Sequence, residues 1–344
     1  MKEAFGVELA RTLKSEIAVF AALAYLAFPA AARDLPESIK VTSRQIEHFQ
    51  IGSTETRFGP LEFIGGLEMS SASSNFGSLS ALRFLSSGQG FIGVADSGFW
   101  VFGQVERDAA GRPSGIADFT MQKFVDAKGR TSDNKIEIDA EGLAVRDGVA
   151  TVGFERQHRI VQFKIEPGDM KKPLRSLDFL VPRNEIRQNR GFEALDYAPA
   201  DGPLKGALVA VTEKSLDRNG NVFGAILSGP QKGVFTVLKD DRFDITDCAF
   251  LPNGDLLLLE RSFSMMTGVG MRLRQIPQAA LVKGAQAVDG PVIAQFDMRY
   301  QIDNMEAMDA WRSTDGATML SFFSDDNQSI IQRNLYLEFE LHGD

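Results

Sequence analysis

The feature that most restricts the fold is a repeated order of residues. Residues 139–165 carry an acid, a short apolar strand, a tight turn, a second strand and an acid-base pair, and four other stretches follow the same order. Glu141 opens the run Gly142-Leu143-Ala144-Val145, Asp147-Gly148 is a type I′ hairpin signal, and residues 149–154 return to Glu155-Arg156. A third strand over residues 159–166 alternates in polarity, and a fourth follows at residues 177–181. The order recurs as Glu193-Ala194-Leu195, Asp201-Gly202 and Glu213-Lys214. It recurs as Asp247-Cys248-Ala249-Phe250, Asn253-Gly254 and Glu260-Arg261, then as Glu306-Ala307-Met308, Asp315-Gly316 and Asp325-Asp326. An upstream copy reads Ser80-Ala81-Leu82, Ser87-Gly88 and Asp96-Ser97. Short strands in groups of four, repeated five times, predict an all-β chain closed into a β-propeller. The last copy is one strand short, and strand-like residues 39–51 and 61–70 belong to no complete unit. An N-terminal strand is therefore expected to close the ring, which has five blades, or six if those segments form their own.

With 344 residues, 44% of them apolar, the chain can bury a large core, and the repeat assigns nearly all of it after Ser80 to one ring. The formal charge of -9 and the lack of any Lys/Arg run argue against a nucleic-acid partner. Arg11 and Lys14, the apolar residues 17–28 and Ala30-Ala31-Ala32 read as a cleaved secretory signal over residues 1–32. Its apolar run is too short to span a bilayer, so the sequence predicts a periplasmic or secreted domain over residues 33–344. Cys248 is the single cysteine and reads as a small buried hydrophobe.

The repeat also positions charge. The start of a blade's first strand and the end of its second lie at one end of an antiparallel hairpin, and first strands line the central channel. One mouth should therefore gather Asp96, Glu141, Glu155, Glu193, Glu213, Asp247, Glu260, Glu306, Asp325 and Asp326, with Arg156, Lys214 and Arg261 among them, while the other carries turns. Crowded carboxylates raise one another's pKa unless bases or a cation compensate. An all-oxygen donor set suits a hard divalent ion such as Ca²⁺. Asp96, Glu155, Glu213, Asp247, Glu260, Glu306 and Asp325 are the candidate ligands, and Glu141, Glu193 and His158 the candidate catalytic groups. Arg156, Arg159, Arg190, Lys214 and Arg261 form a basic arc suited to phosphate or carboxylate oxygens. The same acid-base pairs could instead tie adjacent blades. No G-x-S-x-G elbow, P-loop or dinucleotide fingerprint occurs.

Several motifs, taken in order, resemble a known family. They are Gly65-Gly66-Leu67, Gly93-Val94-Ala95-Asp96-Ser97-Gly98, Ala140-Glu141-Gly142-Leu143-Ala144, Asn189-Arg190-Gly191-Phe192-Glu193-Ala194-Leu195, Leu258-Leu259-Glu260-Arg261 and Asn304-Met305-Glu306-Ala307-Met308. Together they are similar to the phytase-like propellers of exported bacterial proteins, labelled as having esterase-like activity of phytase. The resemblance implies kinship with calcium-dependent phytases and hydrolysis of a phosphoric or carboxylic ester. Ser80 and Asp247 depart from the Glu of other copies, which favours one asymmetric site over a symmetric ring. Two other functions stay open: a non-catalytic ligand- or protein-binding propeller, and a calcium-dependent lactonase.

Overall fold

The computed structural model describes residues 35–187 and 191–343. The expected leader and Arg190 lie outside these residues. The chain begins with β1 (Glu37–Ser38), β2 (Thr42–Ile46), β3 (Arg57–Phe58) and β4 (Leu61–Ser70). Blade 1 is then β5 (Leu79–Phe84), β6 (Gly90–Ala95), β7 (Phe99–Arg107) and β8 (Pro113–Lys123), with β1 on its outer edge. A single helical turn, α1 (Lys135–Ile138), leads into blade 2: β9 (Ala140–Arg146), β10 (Val149–Phe154), β11 (Arg159–Lys164) and β12 (Arg175–Leu177). Blade 3 is β13 (Phe192–Tyr197), β14 (Leu208–Leu216), β15 (Val222–Ile226) and β16 (Gly233–Val237). Blade 4 is β17 (Asp244–Phe250), β18 (Leu256–Ser264), β19 (Gly268–Ile276) and β20 (Val292–Phe296). β21 (Met305–Arg312), β22 (Thr318–Ser324) and β23 (Asn334–Leu341) supply three strands of blade 5. The blades are antiparallel and number five, so the N-terminal segments do not make a sixth.

The missing strand of blade 5 is β4, which pairs with β23 from Asn334↔Met69 to Leu341↔Leu61. Hydrogen bonds between the two ends of the chain thus join the ring, leaving no open edge between first and last blades. Aromatic packing supports this seam. Phe49 is fully buried, with Phe58, Phe63, Phe296, Tyr300 and Phe339 at ring-centre distances of 4.8–5.5 Å. Between the blades, alternating apolar residues interdigitate in cores such as Trp100, Phe124, Phe154 and Phe163 between blades 1 and 2. Cys248 belongs to the core between blades 3 and 4, as expected, and burial pushes its thiol pKa up.

The first strands β5, β9, β13, β17 and β21 stand side by side around the axis. Each carries a register shift at the same place, skipping Ser80, Glu141, Glu193, Thr246 and Glu306 in turn. A bulge re-aims its residue, so five bulges set five side chains at equivalent points of one mouth. The blades must approach closely there. A Cβ on Gly142 would lie 2.6 Å from the Glu193 carbonyl oxygen, and one on Gly153 would lie 2.7 Å from that of Phe192. Only glycine leaves room for the bulge of blade 3 at these two points.

Candidate functional site

The second strands complete what the bulges begin. The second-strand residue that follows the partner of each pre-bulge residue (Ala95, Phe154, Thr212, Glu260 and Ser324) is Asp96, Glu155, Glu213, Arg261 and Asp325 respectively. The mouth therefore holds two concentric sets: Ser80, Glu141, Glu193, Thr246 and Glu306 from the bulges, and those five from the second strands. Blades 2, 3 and 5 bring two acids each, blade 1 a hydroxyl and an acid, and blade 4 a hydroxyl and a cation.

Blade 4 is also where the structure corrects the sequence alignment. Asp247 and Glu260 were expected in this ring, but the register puts each one residue away from the ring positions, which belong to Thr246 and Arg261. Because strand side chains alternate, a slip of one residue sends both carboxylates elsewhere. Glu260 is buried inside the blade, taking Arg272 Nε at 2.6 Å and Arg274 Nη2 at 2.5 Å. Asp247 is buried in the channel wall, bound by both terminal nitrogens of Arg83 at 2.8 Å.

In the mouth itself carboxylates crowd together. Carboxylate oxygens of Asp96, Asp139 and Glu141 lie within 4.8 Å of one another, and so do those of Glu155, Glu193 and Glu213. Glu141 and Glu193 link the two groups electrostatically. Burial, then Asp139, Glu155 and Asp96, push Glu141 well above the ordinary carboxylate range, with a hydrogen bond from Ser80 opposing. Burial, then Glu213, Glu141, Glu306 and Glu155, do the same to Glu193. Glu155 is raised to about 7 by burial, against a 3.2 Å hydrogen bond from the Gly191 amide. Asp325 is likewise raised to about 7 by burial, despite a 2.9 Å bond from the Asn327 amide. Burial also raises Glu306, opposed by Arg261 at 3.3 Å and by Asn304 Nδ2 at 2.8 Å.

Bases stand at the rim. Lys135 of α1 contacts Asp96 and lies 2.9 Å from Asp139, whose other oxygen takes Arg156 Nε at 2.7 Å. Lys214 binds Asp244 at 2.5 Å, beside Lys239. Arg159 stands apart from this rim. Its guanidinium packs 3.9 Å over the Phe154 ring and donates to the Gln157 and Glu137 carbonyls. His158 sits beside Glu155, since a Cβ on Gly191 would lie 3.0 Å from its Nδ1 and 3.2 Å from Glu155 Cγ. Both imidazole nitrogens are buried and unpartnered among the described residues, and burial lowers the pKa.

A model of the family described as "Esterase-like activity of phytase" matches residues 74–328, which takes in all ten ring positions. The chain belongs to the phytase-like family. No curated protein sequence matches this phytase-like chain. Similar solved structures include Myxococcus xanthus glutaminyl cyclase, 11% identical over 82% of this chain and 97% of that one, with a TM-score of 0.43. An endo-arabinase from Bacteroides thetaiotaomicron is 10% identical over 78% of this chain and 94% of that one, with a TM-score of 0.47. No helix among the described residues of the phytase-like chain is long and apolar enough to cross a membrane.

The channel of this phytase-like propeller does not run open from mouth to mouth. Arg83 on β5 fills it, donating to the carbonyls of Leu82, Met308, Leu195 and Cys248 as well as to Asp247. The distal mouth, expected to carry turns, is a pocket of about 360 Å³ lined by Arg83, Asp196, Asp309, Tyr197, Phe250 and Trp311. Asp196 accepts the Phe250 amide and Asp309 the Phe84 amide, each at 2.7 Å, so both acids latch one blade to another. A larger hollow of about 870 Å³ lies between blades 1 and 5, where Glu338 binds Arg107 through both oxygens at 2.8 Å. Its central charges are paired. The acidic mouth, where like charges dominate, is the stronger candidate site.

Sequence reasoning missed four groups of this frame: Asp139, Lys135, Arg83 and Thr246. The runs Glu193-Ala194-Leu195-Asp196 and Glu306-Ala307-Met308-Asp309 contained a signal for the distal acids, three residues beyond each ring glutamate.

Proposed function

We propose that the acidic mouth is the active site of an exported, metal-assisted hydrolase of anionic esters, with phosphoesters as the leading class. The observation that carries this reading is the pair of three-carboxylate groups joined through Glu141 and Glu193, both held well above the ordinary carboxylate range. Such a set accepts either protons or a hard cation at neutral pH, and oxygen donors in this number fit an ion such as Ca²⁺.

In this reading Glu155, Glu193 and Glu213 hold the ion, with Asp96, Asp325 and Glu306 completing the negative surround. When bound, such an ion polarises an ester oxygen and lowers the pKa of water. Glu141, the member of the first group that faces Glu155 and Glu193 of the second, is the proton carrier, because burial and the surrounding carboxylates raise its pKa and favour the protonated carboxyl. Arg156 and Lys214 at the rim, with Arg261 of the ring, orient the anion, and Arg190 extends that arc. Arg159 keeps α1 in place through the Glu137 carbonyl. His158, half-buried beside Glu155 with its ring nitrogens enclosed and its pKa lowered by burial, is a packing neighbour of the ion site in this reading. Residues 1–32 act as the leader that carries the enzyme to the periplasm or beyond.

The test is hydrolysis of a panel of phosphomonoesters, phytate, lactones and short acyl esters by the purified protein, with Ca²⁺ and after chelation. Calcium-dependent turnover of a phosphoester is the expected result. Turnover of lactones alone would transfer the site to lactone chemistry. Absence of turnover throughout would replace the enzyme with a binding propeller.

A further inference from the structure

Six large apolar side chains stand in water on the face that carries the acidic mouth. β18 runs four residues past Glu260 before turning, so the β18–β19 hairpin rises about 13 Å above that level. At its tip Met265 is 97% exposed, Met266 96% and Phe263 70%. In blade 5 the equivalent connection, residues 325–333, carries Ile330 and Ile331 at 103% and 85%. Met298, on the link between β20 and β21, is half exposed and sits beneath the hairpin at Gly268. All three connections leave or enter strands at the mouth, because second strands end there and first strands begin there.

Isolated exposed leucines or methionines are ordinary, whereas a cluster of this kind marks an interaction surface. Alternation puts Phe263 on the same face of β18 as Arg261, and Arg261 reaches Glu306 in the mouth. The apolar tip is therefore directed along the side of blade 4 that borders the site. The charge beside it narrows the partner. An acidic ring repels an anionic surface and favours one whose outermost charge is an ammonium group. Two short apolar projections on the neighbouring blades 4 and 5, beside a polar site, match a surface that is polar outside and apolar a few ångströms within.

We propose that the β18–β19 hairpin and the 325–333 loop seat the mouth on a zwitterionic lipid surface, so that the substrate is an ester carried by an amphiphile. The substrate part rests on the hydrolase reading; the docking part does not. Cosedimentation of the full chain with phosphatidylcholine vesicles reads the docking alone. The variant F263S/M265S/M266S, which changes only exposed positions, is expected to bind at least about tenfold more weakly. In M266W the new indole is expected to shift to shorter wavelength on vesicles and to be quenched by bromine-labelled acyl chains. Equal vesicle binding by the wild type and the triple variant would overturn the proposal. So would a wild-type dimer in sedimentation velocity that the triple variant loses, since the tip would then be covered by a second copy. Turnover of a short soluble ester is expected to be unchanged in the triple variant while turnover of a vesicle-borne ester falls. If no ester is turned over but vesicle binding still depends on the tip, the hydrolase reading fails and the docking surface stands.

Discussion

The two mouths of the channel are built from the same five strands and handle charge in opposite ways. At the distal mouth and in the channel wall, Asp196, Asp247 and Asp309 each accept a backbone amide from a neighbouring blade, and Arg83 ties four first strands together. At the other mouth, Asp96, Asp139, Glu141, Glu155, Glu193 and Glu213 crowd within two tight groups, with Lys135, Arg156 and Lys214 at the rim and Arg261 the cation of the ring itself. Buried charge that is bonded to the backbone and paired serves the fold. Buried charge of one sign is costly unless something else arrives to balance it. The difference separates a structural hub from a candidate catalytic centre on one scaffold.

The largest test of that contrast is at the hub. Replacing Arg83 by Met leaves Asp247 buried and unpaired, and unfolding in urea is expected to show a loss of about 3–5 kcal/mol. A loss below about 1 kcal/mol would mean the two mouths are not so different. Glu141→Gln at the acidic mouth should do the reverse. Its melting temperature is expected to hold or rise, because a repelled carboxylate is removed, while turnover falls about a hundredfold or more.

The distal acids give a smaller, pH-dependent signal. Burial raises Asp309 from an ordinary 3.8 to about 7, so the folded chain holds this proton more tightly than the unfolded chain. The group's contribution to stability is then greatest below about pH 4 and declines as pH rises to about 7. In Asp309→Asn that decline should shrink by on the order of 3 kcal/mol, read as the difference between urea-unfolding free energies at pH 4.5 and 7.5. The smallest effect is expected from Arg159→Ala, which loses a stacked cation and the hydrogen bond to the Glu137 carbonyl, together worth about 1–2 kcal/mol, and leaves turnover within about twofold. A large fall in turnover would return Arg159 to the substrate site.

How far the sequence carried depended on whether a feature was periodic. Five repeats and their strand order followed from the repeated turn dipeptides, because each hairpin is a local event with its own residue signature. A sixth blade from the N-terminal strands stayed open in the sequence and is excluded by the pairing of β4 with β23. The gathering of Glu141, Glu193, Glu306, Asp96, Glu155, Glu213 and Asp325 at one mouth followed from the same geometry. Blade 4 failed because acids were aligned with acids. Aligning Cys248 with Leu82, Leu143, Leu195 and Met308, which share its register, would have placed Thr246 and Arg261 in the ring. Arg83 was not legible at all. Its partner Asp247 lies 164 residues away, and nothing in the run Leu82-Arg83-Phe84 reveals that the side chain turns into the channel.

Calcium-dependent melting of three proteins tests the central claim most directly: the wild type, Glu193→Gln and Asp309→Asn, each at pH 7.5 with Ca²⁺ and with chelator. The account predicts that Ca²⁺ raises the melting temperature of the wild type and of Asp309→Asn alike, and that Glu193→Gln loses most of the rise. A wild type indifferent to Ca²⁺, or an equal rise in Glu193→Gln, would contradict it.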